Sequence, residues 1–199
     1  MTLTRAVSEL VTAPTEEPIT LDEAKLRAGL DWVAGDPRDQ LMLGFIRAAR
    51  QQVEADTGLA LLTQTRDVWY DAPPTMLPAQ CRPLQSVTEL VMVDGEGEHP
   101  VDRDPVRLLC SPVPSRPDLL IHGRQRTTYE GTPTTYRMRV IVGWKTAADL
   151  PPLLTHAVGL LTAHYATAGR DLATAGTIIT TTPLGYAEAV APFQQVTLA

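Results

Sequence analysis

The sequence predicts an α+β protein: a small helical bundle with an inserted antiparallel β-sheet or small barrel and an extended C-terminal tail. Three observations carry this. Apolar residues recur at helical spacing near 21–30, 37–57 and 151–168. Between about 62 and 144 the period shortens to two, and Pro and Gly punctuate short β-branched runs. After residue 169 no period persists. The expected division is an N-terminal arm over 1–18, one domain over 19–169 that carries the β insertion, and a docking tail over 170–199.

Each element has a local cause. Residues 1–18 are mixed in character and end at Pro18, so they read as a loose arm. Thr20-Leu21-Asp22-Glu23 has the spacing of a capping box, and a helix should follow to about Leu30, with Leu26 and Leu30 on its inner face. Ala34-Gly35 breaks it. Asp36 can cap the second helix, Pro37 suits its first position, and Asp39 complements its positive end. Leu41, Phe45, Ala49 and Val53 step by four, with Met42 and Ile46 widening the stripe, and Gly58 is the left-handed terminator.

Residues 62–70 (LTQTRDVWY) and 84–93 (LQSVTELVMV) read as strands. Asp94-Gly95-Glu96-Gly97 should turn the second into a hairpin with a strand near 98–102. Four prolines from Pro105 to Pro117 then separate short segments around RLLC and DLLI. The run 135–144 alternates most cleanly, with Tyr136, Met138, Val140 and Val142 on one side. Leu150-Pro151-Pro152 opens the third helix, whose apolar face includes Leu153, Leu154, Ala157, Val158, Leu161 and Tyr165 and which Gly169 should end. This helix should pack against the second, with the first across both.

The tail carries little charge and cannot bury enough apolar surface alone to offset its ordering entropy. Tyr186, Val190, Phe193, Val196 and Leu198 are spaced as anchors for a partner, and 194–198 is a candidate strand awaiting a sheet edge.

Composition narrows the function classes. A chain of 199 residues, 44% apolar and 20% charged, can bury one core unaided, which argues against wholesale disorder. The net charge of −6 excludes a surface built throughout to grip nucleic acid. Arg124, Arg126, Arg137 and Arg139 are the nearest approach to a basic patch, a candidate contact for DNA or a neighbouring subunit. Arg137 and Arg139, two apart on one strand, share a face that is more simply the wet side of a sheet. No run of ~18 apolar residues occurs, so no membrane span is expected, and the N-terminus lacks the pattern of a secretory signal.

Two cysteines, Cys81 and Cys110, are too few for a disulfide framework or a thiolate zinc site. His156 and His164 lie ~12 Å apart along one helix, too far to share a metal. Asp102, Asp104 and Asp118 read as solvated turn residues. No phosphate loop, metal set, cofactor motif or catalytic constellation emerges. A thiol enzyme using Cys110 is the remote alternative.

Several of these stretches resemble a known family. ITLDEAKLRAGL, then DPRDQLMLGFIRAARQQVEADTGLALLTQT, is similar to the opening of phage head–tail connector proteins of the adaptor type. Val140–Tyr165 resembles their strand-to-helix passage. AVAPFQQVTL resembles their short terminal motif, with Phe193 at the usual Tyr position and Gln194 at the Arg position. The family also serves gene transfer agents, the phage-like particles encoded in some bacterial chromosomes. The resemblance implies a non-enzymatic protein of the particle neck, assembled in the bacterial cytoplasm as a ring of twelve copies. Its implied partners are the portal protein, on which the tail docks, a stopper or tail-terminator protein, and DNA passing through the lumen without specific binding. Another neck component, such as a stopper or tail-completion protein, is the alternative, but stoppers are mostly β.

Overall fold

A computed structural model of the chain describes residues 6–72, 74, 77–101, 107–109, 119–121, 135–171, 183 and 185–194. It is α+β and divides into two compact units, one built from 1–14 and 58–144, the other from 15–57 and 145–199.

The second unit is helical. Thr20 caps α1 (Leu21–Arg27) through the reciprocal bonds of the capping box: the Glu23 amide donates to the Thr20 hydroxyl at 3.2 Å, and the Thr20 amide to the Glu23 carboxylate at 2.9 Å. The helix stops at Arg27, one turn short of expectation. Its inner face is also displaced: Leu26 is 81% exposed, while Ala24 and Lys25 are buried. The cause is Lys25, whose ammonium is drawn to Asp39 at 2.7 Å. α2 (Arg38–Thr57) begins where Asp36 accepts from the Arg38 amide at 2.9 Å, and Gly58, at φ 67°, follows it in the left-handed region.

The buried face of α2 runs through Met42, Ile46, Ala49 and Val53, and Leu41 is 60% exposed. The stripe is rotated because it also takes in Arg50 and Glu54, which a hydropathy pattern places outside. Arg50 lies between Glu17 (2.9 Å) and Glu54 (3.0 Å), so its charge is matched inside. α3 (Pro152–Asp171) buries Leu154, Ala157, Val158 and Leu161, leaves Leu153 half exposed, and continues through Gly169 rather than ending there. α2 and α3 pack together and α1 contacts both, as the sequence predicts. Gly159 lets α3 approach the Arg27 side chain, whose Cδ would lie 2.8 Å from an added Cβ.

The first unit is an open five-stranded antiparallel sheet, not a closed barrel. Its strands are β1 (Ala6–Thr12), β2 (Gln64–Tyr70), β3 (Leu84–Asp94), β4 (Gly97–Pro100) and β7 (Thr135–Val142), in the order β1-β2-β7-β3-β4. β5 (Arg107–Leu109) and β6 (Leu119–Ile121) form a separate antiparallel hairpin. β7 is the central strand, and its predicted alternation is real: Tyr136, Met138, Val140 and Val142 join Val68, Leu90 and Met92 in the core.

Residues 6–12, expected within a loose arm, instead form β1, in register with β2 from Ala6↔Tyr70 to Leu10↔Arg66. The partner strand is nearly sixty residues away, so no local pattern announces the pairing. Gly143 closes the end of β7 at φ 96°, with its amide donating to Pro83 at 2.8 Å; a Cβ there would run into the Leu62 carbonyl.

Candidate functional site

Three groups of residues gather charge or apolar surface among the described residues. The first lies on one face of the sheet. Arg139 forks onto Asp67 through Nε and Nη2, both at 2.7 Å. Arg137 donates to Glu89 at 2.8 Å and to Glu98 at 2.7 Å, and its guanidinium lies 6.0 Å from the Trp69 ring centre. The hydrogen bonds from Arg139 hold the Asp67 carboxyl below its ordinary range against the opposing effect of burial. The strand alternation brings Arg137 and Arg139 together, but three carboxylates meet two guanidiniums. Both cations are therefore committed within the fold, and among the described residues the face offers no surplus positive charge for phosphate. Arg124 and Arg126, the other half of the expected patch, lie outside the described residues.

The second group is the corner between α1 and α2. Asp39 accepts from Trp32 Nε1 at 2.7 Å and from the Gly35 amide at 2.8 Å while pairing with Lys25. Lys25 and Trp32, in that order of effect, pull the Asp39 carboxyl below its usual value. Arg38 forks onto Asp36 at 2.8 and 2.7 Å and stacks over Trp32 at 4.6 Å. The hydrogen bonds from the Arg38 side chain and then its amide hold the Asp36 carboxyl down to about 2. Beside it is a groove of about 170 Å³ lined by Leu30, Trp32, Leu41 and Phe45. Sequence reasoning cast Asp39 only as a helix-end charge and passed over Lys25 and Trp32, because their meeting depends on the path of the intervening loop.

The third group is the tail. Residues Tyr186–Val190 form a short helix, α4, that packs on α3 and α2. Tyr186 and Val190 are buried there, and the Tyr186 hydroxyl donates to Asp56 at 2.6 Å. Burial and the Asp56 carboxylate push that hydroxyl well above the ordinary tyrosine value. This part of the tail is therefore buried against its own chain, where the sequence pattern leaves Tyr186 and Val190 as anchors for a partner. It can do so because three apolar positions, Tyr186, Ala189 and Val190, fall on one side of a single helical turn. Phe193 is half-buried; Val196 and Leu198 lie outside the described residues.

The remaining nucleophile and ligand candidates place as follows. Cys81 is a free, buried thiol that burial pushes up in pKa, so it is a poor nucleophile. Cys110, Asp102, Asp104 and Asp118 lie outside the described residues. His156 is exposed on α3, with His164 two turns further along. Among the described residues no group of side chains could hold a metal ion, and no helix is long and apolar enough to cross a membrane.

No family model matches the chain, and no curated protein does. Solved structures do. The chain aligns with one from the virion of a native gene transfer agent particle at TM-score 0.76 and 23% identity. It aligns with one from the neck of an empty particle of that kind, computed with C6 symmetry, at 0.76 and 22%, and with one from a native neck computed with C12 symmetry at 0.70 and 24%. Each alignment covers 97% of both chains. Over 97% of its length the chain thus shares its fold with chains found in gene transfer agent particles.

Proposed function

We propose that this chain is a head-to-tail adaptor of a gene transfer agent or tailed phage: a structural ring protein below the portal that extends the DNA channel and joins the head to the stopper or tail. The observation that carries the reading is the end-to-end fold match to chains of gene transfer agent particles, two of them from necks, over 97% of each chain in every case. The motifs at residues 19–65 and 189–198 support it independently. A ring of twelve copies is compatible with both symmetries at which those necks were computed, since twelve divides by six and by twelve.

In this reading α4 is the root of the tail, held by Tyr186 and Val190, and the segment from Phe193 through Val196 and Leu198 docks on the portal. The net charge of −6 suits a conduit through which DNA slides without adhering. The sheet-face cations serve the fold or a neighbouring subunit rather than DNA. No sequence-specific DNA contact, cofactor or catalysis is required.

The test is deletion of residues 193–199 in the producing strain. Heads that package DNA, fail to join tails and leak are the expected product, with a monomer that still folds by circular dichroism. Fully tailed, infectious or transfer-competent particles from that deletion would refute the docking role. Cryo-electron microscopy of intact particles that placed the chain away from the portal would refute the adaptor reading itself.

A further inference from the structure

The two edges of the five-stranded sheet are unlike. β4 is a blocked edge: it is four residues long, contains Pro100, and ties Glu98 to Arg137 at 2.7 Å. Short edge strands, proline and charge are the means by which sheets avoid adding strands. β1, the opposite edge, has almost none of them. Its seven residues, AVSELVT, contain no proline and one charge. Val7 is 52%, Leu10 44% and Val11 47% exposed. One side of β1 pairs with β2, and among the described residues no strand lies on the other. The pairing shifts register between Leu10 and Thr12, so the regular edge runs from Ala6 to Leu10.

The single charge on β1 specifies the partner. Glu9 lies directly opposite Asp67, an acid facing an acid. Asp67 has its cation in Arg139, but Glu9 makes no ion pair or side-chain hydrogen bond among the described residues. Among the described residues Glu9, Asp67, Glu89 and Glu98 outnumber Arg137 and Arg139 on that face, and their field favours an incoming positive charge. The same charge opposes self-pairing, since two β1 strands centred on each other would set Glu9 against its own copy.

We infer that the open edge of β1 is a strand-addition site, taking an extended segment of another protein with a lysine or arginine beside Glu9 and apolar residues two places either side. Backbone hydrogen bonds supply the affinity and the Glu9 contact supplies the choice of partner. The inference concerns the isolated chain and stands apart from the neck reading.

The full-length chain is titrated with the capped heptapeptide TVVRVVT and with its glutamate counterpart TVVEVVT, and amide hydrogen exchange is followed over residues 6–12. The arginine peptide is expected to slow exchange there at least tenfold and to bind at least tenfold more tightly than the glutamate peptide. In Glu9→Lys the preference should reverse. In the double variant Val7→Lys, Val11→Lys, with its sheet intact by circular dichroism, both peptides should lose binding. Absent or equal protection by the two peptides would overturn the inference, as would an unchanged preference in Glu9→Lys. Protection of β1 that rises with protein concentration alone would also overturn it, because the occupant would then be a second copy.

Discussion

Asp39 gathers three donors, from Lys25, Trp32 and the Gly35 amide, onto one carboxylate, and so binds α1, the loop after it and the start of α2 together. Removing it strands the buried Lys25 ammonium, which costs more than the pair contributes. Asp39→Ala should therefore melt at a clearly lower temperature than the wild type, and adding Lys25→Met should recover part of the loss; equal melting of all three would show the cluster to be inert. The aspartates also set the acid limit. Asp39, Asp67 and Asp36 all have folded-state pKa values depressed below the ordinary 3.8, Asp36 to about 2. Their stabilisation is complete above the unfolded value and is lost as pH falls through the folded ones. The melting temperature should hold from pH 7 to about 5 and fall steeply between about 4 and 2. Asp67→Asn should shrink that fall, and an unchanged acid limb would contradict the assignment. At the tail, Tyr186→Phe removes one hydrogen bond to a carboxylate and should cost about 1–2 kcal/mol in urea unfolding.

Among the elements, α2 shows most plainly how a correct helix can carry a shifted face. Its start, length and terminator follow from Asp36, Pro37 and Gly58, which act within a turn of themselves. Which side is buried depends on Arg50 and Glu54, and their burial requires Glu17 from another part of the chain. The shift is measurable: Ile46→Ala should cost about 2–5 kcal/mol and Leu41→Ala about 0.5 or less in the same urea titration. Similar costs at both positions would restore the stripe that the sequence predicts. Strand β7 was legible because the fold's demand on it is local alternation, and it proves to be the central strand. β1 was not, because an exposed edge strand needs no alternation and takes its definition from β2. At the end of β7 both constraints meet in Gly143, where a positive φ and the Leu62 carbonyl leave no room for a side chain. Gly143→Ala should lower stability by about 2 kcal/mol or more.

At the scale of the whole molecule, the fold match covers 97% of each chain while identity stays at 22–24%, so one architecture is built from largely different side chains. A fold tolerates this, because a core accepts extensive apolar substitution as long as its volume and patterning are kept. The sequence alone determined the α+β class, the places of the short first helix and the two long ones, the sheet's central strand, the Thr20 cap and the Gly58 terminator, because each rests on residues within about one turn or one strand of each other. Only the tertiary structure decided that 6–12 is an edge strand, that Lys25 and Arg50 face inward, that Arg137 and Arg139 are neutralised, and that Tyr186 returns to Asp56. Each of these joins residues distant along the chain, and the energy of burying a charge or pairing an edge exists only once its partner has arrived.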